Sequence, residues 1–248
     1  MTRPLVMKFG GTSVADATAM SQVCRIIGDA VSGGAPVVVV VSAMSGVTDA
    51  LLAACLAARD GDLRSVENGI GGVRSRHWSV VRQLFQHEGD AQLLAELAHE
   101  IDDVRAVLTS VGVLHELTPR GTDRVAAAGE LMSSRIVAAL LNRRGIRARW
   151  IDPRRTVVTD ARFGAASPLP VTRDAVGHTI GPALDAGDVA VLGGFVGASP
   201  DGITTTLGRG GSDYSAAIIG AALDASEIQI WTDVDGMLTA DPRVIPGA

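Results

Sequence analysis

The run Thr204-Thr205-Thr206-Leu207-Gly208-Arg209-Gly210-Gly211-Ser212-Asp213-Tyr214 passes from β-forming residues into glycines and then into an apolar helix at Ala216-Ala217-Ile218-Ile219. Glycines at such a junction let the main chain approach a ligand with no side chain in between, and Ser212 is placed to cap the helix. Amide groups at a helix start favour anions. Arg209 adds a two-pronged donor suited to carboxylate or phosphate, and Asp213 adds a carboxylate that can hold Mg²⁺ or orient a cation. Taken alone, the same run also reads as a strand-to-helix turn with a surface ion pair.

A second cluster narrows the choice. Leu5-Val6-Met7-Lys8-Phe9-Gly10-Gly11-Thr12-Ser13 is a short apolar strand ending in a lysine and two glycines, and Lys8 is the only lysine among 22 basic residues. In a chain that uses arginine everywhere else, a compact ammonium beside a glycine turn suits a phosphate better than a planar guanidinium does. A third cluster, Thr232-Asp233-Val234-Asp235-Gly236, follows the apolar run Glu227-Ile228-Gln229-Ile230-Trp231. Phosphoryl transfer needs cationic and amide donors on the moving group, a metal and a positioned nucleophile. One lysine, several glycine amides and the carboxylates of Asp213 and Asp233 meet that requirement. The common nucleotide fingerprints are missing: no GxxxxGK[ST] run exists, and Asp213 stands where the last glycine of GxGxxG would fall.

The elements that must position these clusters follow from periodicity. Asp16 to Val31 places Met20, Cys24, Ile27 and Val31 on one helical face, and Val37 to Val41 is a β-branched run of the kind buried on both faces of a parallel sheet. That strand stops at Ser42-Ala43-Met44-Ser45-Gly46-Val47-Thr48, and ligands bind at the carboxyl ends of such strands, so Ser42 and Thr48 are candidate contacts or simply caps of the next helix. From about 59 to 118 the pattern is helical and charged, interrupted at Gly69, Gly71 and Gly72 and closed by Thr118-Pro119-Arg120-Gly121. A helix from about Asp123 to Arg144 carries Glu130 within an apolar stretch, where a carboxylate is either salt-bridged in the core or faces a cleft and an ammonium. Short extended pieces at Arg147–Ile151 and 156–159, a helix at Thr172–Asp185, a buried strand at Val189–Leu192, a hairpin about Ser199-Pro200-Asp201-Gly202 and a helix at Ser212–Leu223 complete the alternation. Strands alternating with helices predict an α/β fold, a three-layer sandwich with a mostly parallel central sheet.

Composition excludes other classes. A formal charge of −5, a pI near 5.5 and 3% aromatic residues disfavour nucleic acid. No apolar run is read as membrane-spanning and Arg3-Pro4 precedes the first strand, so the expectation is no signal peptide, no membrane and a cytoplasmic location. Cys24 and Cys55 fall in apolar helical patterns and read as small core residues.

Four motifs in order, Lys8-Phe9-Gly10-Gly11-Thr12-Ser13, Gly129-Glu130-Leu131-Met132-Ser133, Thr205-Thr206-Leu207-Gly208-Arg209-Gly210-Gly211-Ser212-Asp213, and Trp231-Thr232-Asp233-Val234-Asp235-Gly236 through Asp241-Pro242-Arg243, closely resemble the kinase domain of aspartate kinases in the amino acid kinase family. The resemblance covers the chain nearly end to end. It implies transfer of the ATP γ-phosphoryl group to the β-carboxylate of L-aspartate, giving 4-phospho-L-aspartate, the first step toward lysine, threonine and methionine. By motif match, Lys8 neutralises charge on the phosphoryl group, Gly10 and Gly11 supply amides, and Asp213 orients Lys8 or serves Mg²⁺. Arg209 grips an aspartate carboxylate and Glu130 its ammonium, with Ser42, Thr48, Gly210, Gly211 and Ser212 positioning it. Phe9, Thr232, Asp233, Leu238, Asp241 and Arg243 line the ATP site, Leu238 standing where family members often have tyrosine. The resemblance also implies a homodimer, and a catalytic domain over 1–248 that is truncated at its C-terminal end and lacks ACT regulatory domains. A non-catalytic amino-acid-binding module and another carboxylate kinase of the same fold are the alternative readings.

Overall fold

A computed structural model of the chain describes residues 3–86 and 91–232. Three runs of β-branched and apolar residues, β1 (Leu5–Phe9), β2 (Val37–Val41) and β4 (Val189–Gly193), form the centre of a sheet because both of their faces are covered. With β3 (Ala148–Trp150) and β7 (Glu227–Trp231) they make a five-stranded sheet in the order β3-β4-β2-β1-β7, every pair parallel. Alternation along the strands divides the core in two. Met7, Phe9, Val37, Val39, Val41, Val189 and Val191 face one helical layer, and Val6, Val38, Val40, Ala190 and Leu192 face the other. Lys8 follows the second set by parity.

The first layer holds α1 (Ala17–Ser32), α2 (Val47–Arg59), α3 (Leu63–Phe85), α4 (Ala91–Leu114) and α6 (Ala128–Arg143). Asp16 caps α1 by accepting from the Ala19 amide at 2.9 Å. α3 and α4 are the predicted excursion, but the glycines do not interrupt it: α3 runs unbroken through Gly69, Gly71 and Gly72. A Cβ at Gly69 would lie 3.5 Å from Ala54 Cβ, so small size there serves the packing of α3 on α2. Thr118 opens a helix instead of closing one. Its hydroxyl accepts from the Gly121 amide at 3.1 Å, with Pro119 at the first position of α5 (Pro119–Ala126). The helix expected from Asp123 therefore begins earlier and breaks at Ala127 before α6. Contrary to the reading of the apolar runs, α5 and α6 taken together, Pro119–Arg143, reach spanning length and contain an 18-residue window of mean hydropathy 1.2, yet 83% of that window is buried in the fold, as in the core of a globular domain.

The second layer holds α8 (Thr172–Asp185) and α9 (Gly211–Ala222), with α7 (Pro153–Thr156) a single turn after β3. The extended piece expected at 156–159 is shorter, because Thr156 ends α7 and only Val158 and Thr159 make strand bridges. β5 (Val196–Ala198) and β6 (Thr204–Thr206) form the expected antiparallel hairpin, closed by the Gly202 amide on Ser199 O at 2.8 Å. Asp233, Leu238, Asp241 and Arg243 lie outside the described residues.

Candidate functional site

The carboxyl ends of β1, β2 and β4 meet the start of α9, and a cavity of about 260 Å³ opens there. Lys8 enters it from β1 with only 8% of its surface exposed, and so little water demands a counter-charge. Asp213, in the first turn of α9, supplies one: its carboxylate lies 2.7 Å from Lys8 Nζ. The pair joins the glycine turn after β1 to the glycine loop that opens α9.

The approach to α9 depends on two glycine effects. Gly210 takes the left-handed conformation, φ 70°, immediately before the helix, a geometry that a side chain would strain. Gly194, after β4, lies against the helix start, and a Cβ there would fall 2.7 Å from Ser212 Cβ. Ser212 is therefore not the cap the spacing predicts. Gly210 occupies that position, and Ser212 sits inside the first turn, lining the cavity with Gly208, Gly210 and Gly211. Arg209 is exposed on the same loop and lies outside the cavity lining.

The opposite wall comes from the turn after β2 and from α6. The Ser42 amide donates to Phe9 O at 3.0 Å, extending the ladder by one residue, and Ser133 Oγ donates to Ser42 O at 2.7 Å. Ser42, Thr48 and Glu130 line the cavity together. Glu130 is 4% exposed; the Ala43 amide donates to its carboxylate, while Oε2 has no partner among the described residues. Burial pushes this carboxyl up to about 8, and the two backbone amide donors only partly oppose it. A buried carboxyl with an open oxygen is matched to a ligand cation that can enter the cavity.

The glycine turn after β1 is arranged differently from the expectation. The Gly10 amide is spent on Trp231 O at 3.0 Å, so it is not available to a phosphate. A Cβ at Gly10 would lie 3.6 Å from Lys8 Nζ and 4.0 Å from Thr232 Oγ1, so both side chains border this glycine. Gly11 O accepts from the Ser45 amide at 3.1 Å and ties this turn to the next. Phe9 points to the other side of the sheet from Lys8, fully buried and stacked on Trp231 with centroids 6.0 Å apart, so its side chain supports the strand from the core and does not line the cavity.

Two contributors escaped sequence reading. Phe195 lines the cavity with φ at 64°, its amide held by Ser215 Oγ at 2.9 Å; a non-glycine residue after Gly193-Gly194 was the only signal. Asp123 is 1% exposed and receives the Thr206 and Gly164 amides at 2.9 Å each and the Thr206 hydroxyl at 2.8 Å. It pins β6 where the glycine loop begins, and nothing in its local spacing announces that. A larger groove, about 650 Å³, runs along α3 beside Arg74, Trp78 and Arg82 but contains none of the clustered residues.

The sequence profile described as "Amino acid kinase family" matches residues 3–248. Lysine-sensitive aspartokinase 3 of Escherichia coli is 35% identical over 255 residues, an alignment covering 100% of this chain and 53% of that protein. An aspartokinase of Chlamydia trachomatis is 35% identical over 245 residues, covering 98% and 52% respectively. The crystal structure of E. coli aspartokinase III in complex with aspartate and ADP superposes with a TM-score of 0.85 at 33% identity, covering 98% of this chain and 52% of that one. The chain thus spans about half the length of the curated relatives it matches.

Proposed function

This chain belongs to the amino acid kinase family, and from that membership we propose that it transfers the γ-phosphoryl group of ATP to the β-carboxylate of L-aspartate. The observation that carries the reading is the juxtaposition, in one small cavity, of the Lys8–Asp213 pair with the open carboxyl oxygen of Glu130. Glu130 receives the substrate ammonium. That contact favours the ionised carboxylate, so the carboxyl gives up its proton as the ammonium binds. Ser42, Thr48 and Ser212 orient the acceptor, and Arg209 reaches over it to a carboxylate. Lys8 holds its ammonium where negative charge gathers on the phosphoryl oxygens, kept in place by Asp213. The aspartate β-carboxylate oxygen attacks the γ-phosphorus in line while the bond to the β-phosphate oxygen breaks, yielding an acyl phosphate and ADP. A carboxylate acceptor is already ionised at neutral pH, so no general base is required.

The resemblance implies Mg²⁺, yet among the described residues no three acidic, histidine or cysteine side chains gather as a metal cage. The nearest carboxylate on the loop, Asp213, is engaged by Lys8. An ion entering with the nucleotide would be held mainly by phosphate oxygens and water, as Mg²⁺ commonly is, and the steps above do not pass through it. The same reading carries a cytoplasmic location and a homodimer, the latter open to sedimentation analysis.

The test is formation of aspartyl hydroxamate by the 248-residue chain with ATP, Mg²⁺, L-aspartate and hydroxylamine, against Lys8→Ala. Product that depends on Lys8 is the expected result. No product from folded protein overturns the activity, and glutamate or acetylglutamate replacing aspartate as the better acceptor overturns the substrate.

A further inference from the structure

Two turns frame the cavity, the one after β1 that carries Gly10 and Gly11 and the one after β2 that carries Ser42 and Thr48. A single side chain from outside the cavity joins them. Arg76, on α3, donates from Nη1 to Ser45 O and from Nη2 to Ala15 O, the latter at 3.0 Å. Ser45 belongs to the second turn, and Ala15 ends the short 3-10 turn Thr12–Val14 that follows the first. The turns also touch directly through the Ser45 amide on Gly11 O, and a Cβ at Gly11 would fall 2.9 Å from Ala43 O, so their separation leaves little slack. Ala43 is in turn the residue whose amide donates to the Glu130 carboxylate.

A planar guanidinium can reach two carbonyls on separate segments at once, which a lysine ammonium does with less directional control. Both bonds go to main-chain carbonyls, so the position of the backbone is what Arg76 sets. Hydrogen bonds from a charged donor are the stronger kind, and their loss leaves two carbonyls to be re-solvated.

We propose that Arg76 is a positioning residue for the acceptor side of the cavity: it clamps the segment that leaves the glycine turn, at Ala15, to the turn between β2 and α2, at Ser45, holding the Ala43 amide on Glu130 and Thr48 at the cavity wall. The inference rests on the kinase reading for its effect on substrate, while the clamp itself is a property of the fold. Its effect reaches the substrate from α3, an element that supplies no cavity residue.

The experiment compares Arg76→Met, which keeps much of the apolar stem, and Arg76→Lys with the unaltered chain. Amide hydrogen exchange at Ser45, aspartate affinity by calorimetry, KM and kcat, and the thermal midpoint are measured. In Arg76→Met the Ser45 amide is expected to exchange about tenfold faster, and KM and Kd for aspartate to rise by about the same factor, the scale of one charge-assisted hydrogen bond. The amides of Val39 and Val40 stay protected, kcat changes less than KM, and Arg76→Lys falls between the two. Unchanged Ser45 exchange overturns the clamp. Faster exchange with unchanged aspartate affinity reduces Arg76 to a structural role and overturns the positioning. If the unaltered chain binds no aspartate, the kinase reading fails and exchange alone decides the clamp. If Arg76→Met does not fold, Arg76→Lys carries the same comparison.

Discussion

Lys8 shares its face of the sheet with Val6, Val38, Val40, Ala190 and Leu192, and its cost there is met by one carboxylate. Replacing it with arginine keeps the charge but sends a larger, planar group into a cavity of about 260 Å³. Lys8→Arg is expected to lower kcat about 100-fold or more, the scale of losing a preorganised charge contact, in a steady-state assay with unchanged circular dichroism. Glu130 gives a second outcome through pH. Its folded-state carboxyl lies near 8 against an ordinary 4.5, so between these values the folded chain holds a proton that the unfolded chain has released. Stability therefore falls as pH rises through that window, by at most about 1.4 kcal/mol per unit. Glu130→Gln, already neutral, removes this slope, so urea melts at pH 5 and pH 8 should separate the two proteins in the variant's favour at the higher pH. Aspartate binding reverses the balance: affinity rises from pH 6 toward 8, and calorimetry in buffers of different ionisation enthalpy detects the released proton. Lys8 and Asp213 were legible in sequence because a sole lysine and a glycine-flanked aspartate are unusual. Glu130 was ambiguous on its own residues, since an acid in an apolar stretch has the same spacing whether it faces core or cleft.

Elements decide where those residues can go. β2 and β4 were legible because a strand buried on both faces must be apolar throughout, β1 because one lysine interrupts an otherwise apolar run, and α8 through the spacing of Val176, Ile180 and Ala183. Caps were less legible. Ser212 has the right chemistry for a helix start, but the left-handed Gly210 takes that position, and local sequence does not reveal which of these nearby residues the incoming loop will select. The glycines of α3 misled for a related reason: each weakens a helix by only about 1 kcal/mol, and Gly69 packs on Ala54 while Gly71 and Gly72 face open space without breaking the helix. The interlock at the start of α9 yields a test. Gly194→Ala would place a methyl 2.7 Å from Ser212 Cβ and 2.8 Å from its Cα, so main chain has to move. A destabilisation of about 1–3 kcal/mol is expected from overpacking, with a larger loss of activity than of stability because the displaced segment carries Asp213. Wild-type activity in Gly194→Ala would show that α9 tolerates the shift.

Across the whole molecule, the apolar core on the α1 side is continuous from the sheet into the excursion, taking in Val39 and Val41 with Leu97, Ile101 and Leu108. The excursion is therefore part of the domain's cooperative unit. Leu97→Ala, at a fully buried position, is expected to cost about 2–5 kcal/mol and to lower a single thermal transition that circular dichroism and tryptophan fluorescence report together. Two separated transitions would mean that α3 and α4 melt on their own. The three-layer plan was readable from alternating strands and helices, but the strand order was not, because periodicity says nothing about which strands become neighbours. That order places β1 between β2 and β7. Ser13 reaches Trp231 across 218 positions of sequence, and β1 cannot gain its second neighbour until β7 exists. Contacts between such distant segments are the slow ones to form, since a long loop must close before they reward it. On a ribosome, Lys8 is made long before its counter-charge at Asp213. The nascent chain consequently carries an exposed strand edge and an unassembled cavity until α9 and β7 have been made, and the cavity completes only once both have docked.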